Sequence, residues 1–184
     1  MKYLKEQKKT HPQLLDIVIE QLKDGMKKNL PWLDQAFGRV WKITRNVNGK
    51  KYTEPCIYCE GNSYESLIPS SDLGNYCFFV LQDPTEVDEQ SVSARCSVVF
   101  WVDLRKCFDS EDVRDTEVLK NDLVRGFQQD IWVKGGRFDI SKIYEEGKNV
   151  FAGFTIDEDA NRYMMQPYAA FRVEGRIKML IQTC

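Results

Sequence analysis

The residues whose types and spacing could do chemistry are few. Cys56 and Cys59 enclose Ile57 and Tyr58, a C-x-x-C spacing and the one cysteine arrangement with ligand or redox spacing. The other cysteines, Cys77, Cys96, Cys107 and Cys184, stand singly, so a zinc site would have to recruit Cys77 and Cys96 from separate segments. A redox pair normally opens a helix, where the dipole lowers the thiol pKa. Here Pro55 precedes the pair and Ile57 and Tyr58 fill it, which reads as strand. The favoured reading is buried or half-buried reduced thiols in a reducing compartment, with no metal and no cofactor. A metal or redox protein using Cys56 and Cys59 is the alternative.

Acid–base chemistry has little to build on. The single histidine, His11, stands beside Pro12 at a helix start and reads as a solvated cap position. The carboxylate pairs Asp157 with Asp159 and Glu145 with Glu146 lie in polar segments, where nothing would raise a pKa for general-acid work. No phosphate-cradling glycine loop, dinucleotide fingerprint or nucleophile elbow occurs, so no catalytic residue is assigned. Arg39-Val40-Trp41-Lys42 interleaves aromatic and basic residues and could stack single-stranded bases. Core aromatics on one side with solubilising charges on the other is preferred there, because the neighbouring strands are acidic. Tyr163, Met164 and Met165 are apolar for a loop; they either close the core or form an interface.

Charge points to surfaces rather than to a reaction. Residues 1–50 carry a net +6, residues 51–110 a net −6 and the remainder −2. With a pI near 5.6, nucleic acid is disfavoured as a partner. Opposite charge on two parts of one chain suits copies of itself meeting head to tail, although two solvated faces are the commoner explanation.

The elements that must position these residues follow from periodicity. The 184 residues have ordinary globular composition and are read as a single domain, with a long hairpin and loop insertion at about 46–73. No apolar run approaches the roughly 20 residues of a bilayer span, and no signal-peptide core follows the basic start, so a soluble chain with no membrane partner is expected. Thr10 and Gln13 form a capping-box pattern, and Leu14, Leu15, Val18, Leu22 and Met26 then recur at helical steps. Phe37–Arg45 and Lys51–Cys59 flank Asn48-Gly49 and predict a hairpin. Gly61–Asp72 reads as loop, Tyr76–Gln82 as a buried strand, Glu86, Asp88 and Glu89 as an acidic loop, and Ser91–Leu104 as a long strand in which Ser93, Arg95 and Ser97 alternate with apolar residues. Asp115 or Thr116 caps a second helix running to Trp132 with a stripe ending at Ile131, and Gly135-Gly136 closes it. Phe138–Tyr144 is read as a strand and Gly147–Phe154 stays ambiguous. From Tyr168 to Gln182 apolar and polar residues alternate, placing Val173 and Ile177 toward a core and Arg172, Arg176 and Lys178 toward water or a partner. The expected fold class is α+β: a mostly antiparallel, or mixed, sheet with two main helices on one face.

That order of elements, together with the segments SSDLGNYCFFVLQDP (Ser70–Pro84), SVVFWVDLRK (Ser97–Lys106) and PYAAFRVEGRIKM (Pro167–Met179), resembles the tail-terminator or tail-completion proteins of long-tailed bacteriophages, in versions that look prophage-encoded in Bacteroides-type bacteria. The resemblance implies a non-enzymatic ring, commonly a hexamer, that stops tail-tube growth at the head-proximal end and joins tail to head. Its partners would be itself, the tail-tube protein and the head connector; its location would be the host cytoplasm and then the virion tail or neck. Arg172, Arg176 and Lys178 on the final strand and Glu86, Asp88 and Glu89 in the acidic loop are the interface candidates. The chain departs from shorter members through Lys50–Leu73 and Asp83–Gln90.

Overall fold

A computed structural model describes residues 1–70, 72–110, 115–128, 136–156 and 158–181. In chain order the elements are α1 (Leu15–Asn29), β1 (Gln35–Arg39), β2 (Trp41–Val47), β3 (Lys50–Cys59), β4 (Ser63–Ser66), β5 (Tyr76–Leu81), β6 (Glu86–Val87), β7 (Ser91–Asp103), α2 (Thr116–Gln128), β8 (Gly136–Tyr144), α3 (Gly147–Val150), α4 (Glu158–Asn161) and β9 (Tyr168–Leu180). The expected helix end at Trp132 with Ile131, the Gly135 closure, Asp157 with its pairing to Asp159, Gln182 and Cys184 lie outside the described residues.

The main sheet runs β1-β5-β7-β9-β8, with β6 paired to β7, and every pair is antiparallel except β1 with β5. The α+β expectation therefore holds, as a mixed sheet. The two 13-residue strands β7 and β9 pair along their whole length, from Ser91 opposite Leu180 to Asp103 opposite Tyr168. Both main helices lie on one face. Leu15, Val18, Ile19, Leu22 and Met26 of α1 and Leu119, Leu123 and Phe127 of α2 meet Phe100, Phe171, Val173 and Ile177 from the strands. Phe100 stacks on Phe171 with ring centres 4.9 Å apart.

The helix starts where backbone chemistry, rather than the Thr10 capping box, permits. α1 begins at Leu15 after Leu14, which has φ 50° and is half exposed, and no side chain caps it. The residues ahead are drawn off as a strap. Gln7 N–H donates to Tyr58 O at 2.9 Å, Leu4 N–H donates to Gln35 Oε1 at 2.9 Å, and Gly38 N–H donates to the Glu6 carboxylate at 3.0 Å. Lys23 of α1 closes on the same carboxylate at 3.2 Å. At the second helix the expected cap is present: Glu117 N–H donates to Asp115 Oδ1 at 2.8 Å.

The run Phe37–Arg45 is two strands, not one. β1 enters the main sheet beside β5, whereas β2 turns away to start a second sheet, β2-β3-β4, in which β4 occupies part of the stretch read as loop. Asn48 and Gly49, with φ of 51° and 77°, make the tight turn between β2 and β3; two positive φ angles are what a primed hairpin turn requires.

This second sheet, together with residues 147–156 and 162–164, covers much of the main sheet's other face. Ile57, Cys59 and Leu67 pack there on Phe37, Tyr76 and Phe78, and Val150, Phe151, Tyr163 and Met164 pack toward Val99, Trp101 and Ala170. Trp101 Nε1–H donates to Tyr163 O at 2.6 Å, and Tyr76 O–H donates to Leu67 O at 2.9 Å, so both large polar aromatics are satisfied where they are buried. Tyr163 and Met164 thus close a core, while Met165 is exposed. Coverage stops partway down the sheet, and the uncovered half is where polar side chains gather.

Candidate interaction surface

The cysteine pair is divided by the strand that carries it. β3 pairs without a register shift with β2 and β4, so Cys56 and Cys59, three residues apart, project to opposite faces. Cys59 joins Ile57 in the second core, and Cys56 is fully buried. Burial pushes both thiols above the ordinary cysteine value, away from the thiolate that ligation or exchange needs. Cys96, also buried, is pushed up to about 12. His11 is exposed, and the Glu145–Glu146 carboxylates are engaged, Glu145 with Lys120 at 2.5 Å and Glu146 with Lys148 at 3.1 Å. Among the described residues no group of three or more histidines, cysteines, aspartates or glutamates could hold a metal ion.

Of the six interface candidates, the fold brings five together and separates one. Arg176, Lys178, Glu86, Asp88 and Glu89 meet at the end of the sheet where the β6–β7 hairpin lies beside the second half of β9. Two of them already satisfy each other. The Arg176 guanidinium forks onto the Glu86 carboxylate and also donates to Ser93 Oγ at 3.1 Å. That hydrogen bond and charge hold the Glu86 carboxyl below its usual range. Asp88 is a turn-former: Gln90 N–H at 2.9 Å, Ser91 N–H at 2.6 Å and Ser91 O–H at 2.6 Å all donate to it. Its carboxyl is held low for that reason, with the Ser91 hydroxyl the largest cause. Glu89 is exposed at the hairpin tip, without an ion pair among the described residues.

Arg172 corrects the expectation of an exposed strand face. It is 3% exposed, its Nη1–H donates to Ala152 O at 3.2 Å, and its Nε lies 3.0 Å from Glu174 Oε1. The alternation placed it correctly on the face away from the helices. That face is roofed at Arg172 by residues 147–156, so polarity there does not mean contact with water.

Below the roof the main sheet presents a grid of polar side chains. The row through Ser97 on β7 continues to Glu174 on β9 and Lys142 on β8. The next runs from Gln82 through Arg95 and Arg176 to Asp139. The last runs Glu86, Ser93, Lys178, Arg137. The first two rows line an open cleft of about 500 Å³. Ser93, Arg95 and Ser97 were visible in the sequence as the polar half of an alternating strand; Lys142 and Asp139 carried no signal, because a bulge between Ile140 and Lys142 resets the register of β8.

Trp41 corrects a second expectation. It is 53% exposed rather than part of a core, and the buried position next to it is taken by Val40. Arg39 lies over its ring at 5.9 Å, and Lys42 reaches instead over Phe154 at 5.6 Å. No helix among the described residues is long and apolar enough to cross a membrane. The chain matches no protein-family model and no curated protein in sequence.

Proposed function

We propose that this chain is a non-enzymatic structural subunit that works by self-assembly, forming a ring at the head-proximal end of a phage-type tail, where it ends tube growth and joins tail to head. The observation that carries the reading is the element order: an N-terminal helix, a strand pair, a long central strand, a second helix and a long final strand, with both helices on one sheet face. That is the order on which the tail-terminator resemblance rests. The division of Cys56 from Cys59 supports it by weakening the competing metal or redox reading. The cluster at the β6–β7 hairpin offers exposed carboxylates at Glu86, Asp88 and Glu89 beside the half-buried cations Arg176 and Lys178 for contacts between copies.

Light scattering across a wide protein concentration range, with and without added tail-tube protein, tests it. A discrete oligomer that electron microscopy resolves as a ring is the expected result. A strict monomer under all these conditions, or normal length-controlled tails joined to heads in a phage lacking the gene, overturns it.

A further inference from the structure

We propose that the open half of the main sheet is a binding site for a small, multiply charged oxyanion, a phosphate ester or a polycarboxylate. The inference stands whether or not the chain assembles. Its first ground is an imbalance of charge within the cleft. Arg95 and Arg176 are directly opposed across β7 and β9, a like-charge pair that works against the strands it sits on. The carboxylates available to offset it are committed: Glu86 to Arg176, Glu174 to Arg172 and Asp139 to Arg137. Of the cleft's own cations, Arg95 and Lys142 make no ion pair among the described residues, and Arg95 acts on Glu86 only at longer range. Two cations without an ion pair, beside the committed Arg176, make the cleft a positive patch on a chain of net charge −2, and a ligand with more than one negative charge meets both.

The second ground is independent of charge. Ser97 lies at the floor of the cleft, fully buried, and its Oγ has no hydrogen-bond partner among the described residues. A buried hydroxyl left unpaired destabilises a fold, and such a group calls for a partner the protein alone does not supply. An oxyanion seated between Arg95 and Lys142 would accept a hydrogen bond from the Ser97 hydroxyl and pair with both cations. The cleft, about 500 Å³, holds a ligand of several charged groups rather than a lone ion.

Isothermal titration calorimetry of the full chain at low ionic strength, with inorganic pyrophosphate and citrate as separate probes, tests the proposal. Saturable binding of at least one probe, one per chain, is expected, together with a rise in melting temperature. Preference for pyrophosphate assigns the phosphate-ester class and preference for citrate the polycarboxylate class. The pair Arg95→Gln and Lys142→Gln should weaken binding at least tenfold. Ser97→Ala should weaken it several-fold without lowering the melting temperature of the free protein, since it removes an unsatisfied group. Absence of saturable binding by either probe at millimolar concentration overturns the proposal. So does unchanged affinity in Ser97→Ala, which would reduce the cleft to diffuse attraction, or binding of a single-stranded oligonucleotide where neither probe binds.

Discussion

Arg172 and Arg176 lie four residues apart on one strand, on the same face, yet they are different kinds of arginine. Arg172 is sealed under Ala152 and ion-paired with the half-buried Glu174, so Arg172→Glu buries a carboxylate beside another one. Breaking a buried pair in this way costs about 3–5 kcal/mol, a large part of an ordinary domain's stability. Arg176 is half-buried on the open face and its partner Glu86 is exposed, so Arg176→Glu, which loses that pair, should lower the melting temperature far less than Arg172→Glu. Chemical denaturation of the two variants checks the contrast; equal effects would mean that the roof over Arg172 is wrong. Acid should act on the neighbouring hairpin. Glu86 and Asp88 have folded-state pKa values below their unfolded ones, so their stabilisation is complete at neutral pH and is lost as pH falls through the depressed values, below about pH 4. Glu86→Gln with Asp88→Asn should flatten the acid side of a plot of melting temperature against pH. An unaltered acid limb would show that other carboxylates set it.

At the scale of elements, the sequence was most readable where one interaction decides. Alternation placed β7 and β9 within a residue or two, Asn48-Gly49 named its own turn, and Asp115 its own cap. What stayed hidden depended on contacts between distant segments. Whether Phe37–Arg45 is one strand or two turns on β1 pairing with β5 some forty residues later. Whether Thr10 caps a helix turns on the strap, whose hydrogen bonds go to Gln35, Gly38 and Tyr58 instead. Arg172 and Trp41 were assigned the wrong surroundings because periodicity gives the face of a strand but not what covers it. Gly175 shows the same dependence on a neighbour. A Cβ there would press into the Asp139 carbonyl and come within 3.0 Å of the Phe138 ring, where the β8 bulge brings the backbone close. Gly175→Ala should therefore destabilise by about 1–3 kcal/mol as β8 is pushed from β9, and denaturant melts would reveal it. A neutral result would mean that the bulge relaxes freely.

For the whole molecule, the proposed assembly and the fold can be separated by mutation. Reversing Arg176 and Lys178 together, both half-buried on the open part of β9, should leave the circular dichroism spectrum of a folded chain with a modestly lowered melting temperature while abolishing the oligomer in sedimentation. An intact oligomer would remove this end of the sheet from the interface. The placement of β9 carries one more consequence. It is the sheet's interior partner for both β7 and β8, yet it follows β7 by more than sixty residues, whereas β5 lies close by in sequence. Pairings this distant form late. In the interval, β7 exposes along one edge the run Val98-Val99-Phe100-Trp101-Val102, apolar, strand-forming and free of charge. Refolding is then a race between an intramolecular strand and another chain's copy of the same edge. Recovery after dilution from denaturant should fall steeply with protein concentration, and a synthetic peptide spanning 168–180 should raise it by capping that edge. Recovery independent of concentration would mean that β9 docks before β7 is exposed to its neighbours.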